Sequence, residues 1–153
     1  MPAIQKICAA VTEVPIIVFA KDAQYILNDF ADLDCQVIGM DWKMDVAETR
    51  AILPNHSLQG NLDPAVLYGD NLFIREKTLD MLSRYGGKRH ICNLGHGVYP
   101  DTPLDGVKCF VDTVKGHVHA WFYVKCGTFF SDNRVFLYPI YPWIQEAYAL
   151  NMA

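Results

Sequence analysis

Val14-Pro15-Ile16-Ile17-Val18-Phe19 runs directly into Ala20-Lys21-Asp22. A nearly unbroken apolar run that stops abruptly at charge reads as a strand covered on both faces, the kind that builds parallel sheets. Ile26, Phe30 and Leu33 follow at helical spacing and predict a helix with a buried stripe. The same unit then recurs. Gln36-Val37-Ile38-Gly39-Met40 is a second strand ending at Asp41-Trp42, and Asp45 with Glu48 opens a helix in capping-box spacing that Pro54-Asn55 closes.

A weaker third strand, His56-Ser57-Leu58-Gln59-Gly60, leads through Asn61-Leu62-Asp63-Pro64 to a helix carrying Leu72, Leu79 and Leu82. Gly86-Gly87 ends that helix, because glycine accepts the left-handed exit conformation. His90-Ile91-Cys92-Asn93-Leu94 is the fourth strand and enters Gly95-His96-Gly97. Thr102, Pro103 and Asp105 then read as N-cap, first helical residue and first-turn acid, with Val107, Val111, Val114 and Val118 as the apolar stripe. The fold class is therefore α/β, with four parallel βα units. Four such units are half of an eight-fold (β/α)8 TIM barrel, or a small doubly wound sheet; the repeat alone does not separate them. From Trp121 to Ala153 the chain is aromatic-rich, contains Pro139 and Pro142, and has no clean period.

A 153-residue chain that is 52% hydrophobic has material for one real core. Its net charge of −4 and scattered basic residues argue against a nucleic-acid partner. No run of about 18 apolar residues is present, so no membrane span is expected. The five cysteines are odd in number and lack a CxxC pair, which favours reduced thiols and a cytoplasmic setting.

Parallel βα folds place function at the C-terminal ends of their strands. That singles out Lys21-Asp22, Asp41-Trp42, Asn61-Leu62-Asp63 and Gly95-His96-Gly97, all expected on one rim. His96 stands out because its flanking glycines permit unusual backbone angles and close approach of a ligand; the plainer reading is a histidine bonded to its own loop. Asp22, Asp41 and Asp63 offer general acid or base groups, although strand-end carboxylates more often cap the next helix. There is no GxGxxG after the first strand, no phosphate-binding GxxxxGK[ST] and no GxSxG elbow, so nucleotide cofactors and serine hydrolysis lose their usual support. His90-Ile91-Cys92 is an HxC triplet without further ligands, and no metal site is expected.

Four segments carry a resemblance: Val14 to Asp22, Gly39-Met40-Asp41-Trp42, Leu58-Gln59-Gly60-Asn61-Leu62-Asp63-Pro64, and Asn93-Leu94-Gly95-His96-Gly97-Val98-Tyr99-Pro100. In order and spacing they resemble the last four strand ends of the uroporphyrinogen decarboxylase family. The resemblance implies the C-terminal half of a TIM barrel over residues 1–119, with a divergent tail at 120–153. It also implies a cofactor-free lyase of haem (porphyrin) biosynthesis, a cytosolic homodimer that decarboxylates uroporphyrinogen III four times to coproporphyrinogen III. Of the family's substrate contacts, only the histidine of the Asn-Leu-Gly-His-Gly motif carries over, onto His96, where it would meet a substrate carboxylate. The family's central aspartate, its N-terminal arginines, and a tyrosine and serine from its middle have no counterpart here. The resemblance thus implies no catalytic residue in this segment and no activity for the chain alone.

Two other readings compete. A corrinoid-linked methyltransferase shares the barrel but holds zinc through an HxC motif and a later cysteine, where this chain has Phe19-Ala20-Lys21 and His96. A non-catalytic half-barrel that self-associates or binds a full-length subunit is the alternative from another class, because open edges and an uncovered inner face favour pairing.

Overall fold

Five strands lie side by side in the order in which the chain makes them. The computed structural model describes residues 1–119 and 135–137. The strands are β1 (Ile17–Phe19), β2 (Val37–Gly39), β3 (Ser57–Leu62), β4 (His90–Leu94) and β5 (Val135–Leu137), and every neighbouring pair is parallel. Helices α1 (Pro2–Ala10), α2 (Leu27–Phe30), α3 (Val46–Ile52), α4 (Asn71–Tyr85) and α5 (Leu104–His119) complete the described residues. This strand order decides what the repeat left open. Right-handed crossovers between strands that never reverse direction of addition place every connecting helix on one side of the sheet, as in a barrel. A doubly wound sheet needs a reversal, and none occurs among the described strands.

Register makes the layers explicit. Val18, Ile38, Leu58 and His90 form one row across the sheet, and all are buried against the helices. Phe30, Leu53, Leu67, Ile74, Phe110 and Val114 fill the space behind them. The next row is Phe19, Gly39, Gln59 and Ile91, on the other face. Here β1 departs from the reading of a strand covered on both sides: Ile17 and Phe19 stay 38% and 48% exposed, while Val18 between them is buried. The Phe19 side chain lies where a Gly39 side chain would stand, its Cβ 2.9 Å and its ring Cδ2 3.0 Å from an ideal Cβ.

Other expectations shift in detail. The first helix is only a 3-10 turn, Gln24–Ile26, and the four residues of α2, yet Phe30 and Leu33 are buried as their spacing required. β3 runs two residues beyond Gly60, so Asn61 and Leu62 belong to the strand and not to the loop after it. In α4 the buried stripe is Ile74, Thr78, Met81, Leu82 and Tyr85, whereas Leu72 and Leu79 face out. In α5 the burial centres on Phe110, Thr113 and Val114, with Val107 and Val111 at its margin; the side chain of Val118 lies outside the described residues. Helix α1 was not anticipated, and it buries Cys8 while Met1 and Ile4 lean on the core. β5 comes from the stretch whose pattern had no period, and it continues the parallel ladder beside β4. The remaining expectations about 120–134 and 138–153 lie outside the described residues.

The caps follow the sequence. Asp45 accepts from the Glu48 amide at 2.8 Å, Asp70 from the Phe73 amide at 2.8 Å, and Gly86 exits α4 at φ 60°. Arg50, at the end of α3, donates to the carbonyls of His56, Lys88 and Arg89, tying together the chain segments that enter β3 and β4.

Candidate functional site at the strand ends

The loops after β1, β2 and β4 converge. Asp41, directly after β2, is wholly buried, and its two carboxylate oxygens accept from the backbone amides of Asp22 at 3.2 Å and Lys43 at 3.0 Å. One side chain therefore holds two loops together. Asp22 sits in the left-handed region at φ 56°, a conformation that aspartate tolerates better than most residues and that collects at functional sites. Its own carboxylate accepts from Lys43 Nζ at 2.5 Å, and the ammonium also lies 5.5 Å from the centre of the Trp42 ring.

The charges agree with the geometry. The Lys43 hydrogen bond holds the Asp22 carboxyl below its ordinary value; slight burial opposes this, and the charges of Lys43, Lys21 and His96 assist. Reciprocally, the bond to Asp22 raises Lys43. The imidazole's loop meets this rim through Gly95, which packs against the backbone of Trp42.

His96 is half-buried, and its Nδ1–H donates to Gly97 O at 2.8 Å, which is the self-loop bond that the plainer reading allowed. That bond leaves Nε2 for a ligand. Tyr99 meets the imidazole edge-on at 5.7 Å, and Thr102 Oγ1 accepts from the Tyr99 amide at 3.0 Å. Tyr68 donates to Asp101 at 2.7 Å and so ties this loop to the one after β3. Gly95 is required for the approach: a Cβ there would lie 2.3 Å from the Trp42 amide nitrogen.

Of the acids that the sequence singled out, Asp22 and Asp41 are brought together with His96 nearby. Asp63 is not: its carboxylate accepts from the Ala65 amide at 2.9 Å and starts a 3-10 turn, the capping role expected of strand-end acids. Asn61, read as a loop residue, is instead a buried clamp. Its Nδ2 donates to Asp41 O at 3.0 Å and Met44 O at 2.9 Å, and its Oδ1 accepts from Tyr85 OH at 2.9 Å. The Gly60–Asn61 peptide is cis. Lys43 and Tyr85 were missed. Lys43 had a signal in its place two residues beyond Asp41, but Tyr85, at the far end of α4, had none.

The HxC triplet is accounted for by packing. His90 stacks flat on Tyr85, with ring centres 3.5 Å apart and planes within 3°, and its Nε2–H donates to Gly60 O at 2.7 Å. Its Nδ1 is buried without a partner. Burial lowers the His90 pKa to about 4 and raises the Cys92 thiol to about 12. Among the described residues no three His, Cys, Asp or Glu side chains gather in a way that would hold a metal ion, and no helix is long and apolar enough to cross a membrane.

Comparison with known proteins places this rim in context. The chain is 43% identical over 104 residues to a uroporphyrinogen decarboxylase of Gloeobacter violaceus, covering 67% of this chain and 30% of that protein. It is 44% identical over 108 residues to the enzyme of Chloroherpeton thalassium, covering 67% and 31%, and 45% identical over 105 residues to that of Danio rerio, covering 68% and 28%. It thus spans about a third of the length of these curated relatives. A solved methyltransferase from Methanosarcina mazei shares the fold, with a TM-score of 0.64 over 76% of this chain and 35% of its own, at 22% identity. The uroporphyrinogen decarboxylase (URO-D) family profile matches residues 1–117, a stretch that contains every strand-end residue described above. Sequence and rim therefore point the same way, and the chain belongs to the uroporphyrinogen decarboxylase family.

Proposed function

We propose that this chain supplies a carboxylate-binding arc of the rim in a uroporphyrinogen decarboxylase, the enzyme that converts uroporphyrinogen III to coproporphyrinogen III. The observation that carries this reading is His96, held by Gly97 O through Nδ1 on the loop whose Gly95 packs against Trp42, with Nε2 uncommitted. In its imidazolium form that nitrogen donates a charge-assisted hydrogen bond to an acetate arm. Each decarboxylation adds a proton to the pyrrole ring carbon next to the one that bears the arm, which leaves the arm-bearing carbon electron-poor. The carbon–carboxylate bond then breaks, its electron pair flows into the cationic ring, and a second proton turns the exposed methylene into a methyl as the ring carbon's proton is released. No cofactor is needed for this, and the protein's task is to position the macrocycle and stabilise the ring's charge.

Residues 1–119 act as the half-barrel and 120–153 as a divergent tail, a division supported by a family match that stops at residue 117. A cytosolic homodimer is the working form of the full-length enzyme. Uroporphyrin binding tests the reading. The 153-residue chain should bind uroporphyrin more tightly than coproporphyrin, which has methyl groups in place of the acetates. His96→Asn should weaken uroporphyrin binding about tenfold, the size of one lost charge-assisted bond. Equal affinity for the two porphyrins, or an unchanged constant in the variant, would refute the assignment. The chain alone should form no coproporphyrinogen from uroporphyrinogen, and product above background would overturn that expectation.

A second reading, association without catalysis, is favoured by one observation: Ile17 and Phe19 stand open on the face of the sheet away from the helices. In that reading the arc pairs with itself or with a full-length subunit, and sedimentation of the purified chain as a clean monomer would count against it.

A further inference from the structure

We propose that Asn61, seated by Tyr85, is the positioning residue that sets the rim, a buried amide whose hydrogen bonds fix where Asp22 and Lys43 stand. This rests on the reading of the rim as the ligand-facing end of the sheet, but not on which ligand binds there. Both hydrogens of the Asn61 amide are spent on the turn Asp41-Trp42-Lys43-Met44, one on the carbonyl at each end. The side chain therefore spans the turn like a strut. That turn delivers Lys43 to Asp22, and its first residue, Asp41, binds the amides of both.

The strut is itself braced. Tyr85 OH donates to Asn61 Oδ1 and lies 3.3 Å from Met40 Sδ, and the tyrosine ring is clamped flat against His90. His90 bonds Gly60 O, the carbonyl of the residue before Asn61, so the network closes on its own starting point. A path of direct contacts thus leads from the helix side of the sheet, through Asn61, to the salt bridge on the rim. Burying an amide, a phenol and an imidazole together carries a desolvation cost that a leucine in the same space avoids, and packing alone gives no reason for it. Fixing a turn to within hydrogen-bond tolerance is something that apolar contact does not do.

Tyr85→Phe and Asn61→Leu in the 153-residue chain test the proposal, with Thr78→Val as the reference. Thr78 is buried on the same helix and bonds only Ile74 O. The readout is the Asp22 carboxyl, followed by NMR as pH is lowered, because loss of stability alone does not move it. In the parent, Lys43 keeps this group low. Tyr85→Phe should shift its midpoint up toward the ordinary aspartate value of about 3.9, and Asn61→Leu should shift it further, while Thr78→Val leaves it in place. Uroporphyrin affinity should fall about threefold in Tyr85→Phe, the effect of one neutral hydrogen bond. If Asn61→Leu does not fold, Tyr85→Phe decides alone. An Asp22 midpoint that stays at the parent value in folded Tyr85→Phe overturns the proposal. If the parent chain binds no uroporphyrin, the carboxyl titration still decides this question, and the failure belongs to the function proposed above.

Discussion

At the scale of single residues, His90 has the clearest consequence for stability. It is neutral and buried in the fold, with its pKa brought down to about 4 by burial, opposed by the bond to Gly60 O and helped by the nearby Arg50 charge. In the unfolded chain a histidine titrates at about 6.5. The unfolded state therefore takes up the proton first. The contribution is complete above about pH 6.5 and is lost as pH falls from there toward 4, a loss on the order of 3 kcal/mol. Urea unfolding at a series of pH values should show that slope, and His90→Gln, which keeps a donor for Gly60 O, should flatten it. An equal slope in both proteins would mean that another group is responsible. The sequence offered His90 only as the first half of a metal-like triplet. What it does instead depends on Tyr85, which reaches it from the adjacent helix end and which no spacing rule connects to it.

At the scale of elements, two glycines of α5 separate close packing from simple helix weakness. A Cβ on Gly106 would stand 2.1 Å from the Leu67 carbonyl oxygen, whereas one on Gly116 meets nothing within 4 Å. Gly106→Ala should therefore lower thermal stability by about 2 kcal/mol or more, as overpacking against backbone does. Gly116→Ala should raise it by about 1 kcal/mol through helix propensity. Opposite signs in one helix are the check; equal effects would mean that α5 does not sit against the turn after β3. The first four strands were legible because a parallel ladder demands apolar runs ending in polar residues, and β4 has the bounds that its composition suggests, whereas β5 carried no such pattern. Helices were less so. α4 places Leu72 at 80% exposure because Ile74 and Met81 occupy the inward positions, and nothing in the spacing of leucines alone reveals that. The rim was legible as a set of strand ends, but the partition of its acids was not: Asp63 caps, Asp41 is locked between amides, and Asp22 alone keeps an exposed, ion-paired carboxylate.

At the scale of the whole molecule, sequential strand order makes an arc in which the row of Val18, Ile38 and Leu58 is buried while Ile17 and Phe19, on the other face of β1, stay exposed. Ile17 and Phe19 are apolar where the described residues leave them uncovered, and exposed apolar side chains on a sheet favour association. Phe19→Ser should shift sedimentation of the chain toward the monomer and leave its circular dichroism unchanged, since the ring is outside the core. A sedimentation profile identical to the parent would show that this face takes no part in association. The barrel reading itself became decidable only here, because one βα unit looks the same in either architecture and the order of neighbours is a property of the assembled sheet.

The contact between Gly95 and the backbone of Trp42 has a further consequence for anyone recombining this sequence with its relatives. The two loops straddle β3, and Gly95 lies so close to the Trp42 backbone that it cannot take even a methyl group. They behave as one inherited piece: a crossover point placed between residues 42 and 95 would separate partners shaped for each other, and chimeras that exchange both together should survive where single-loop swaps do not.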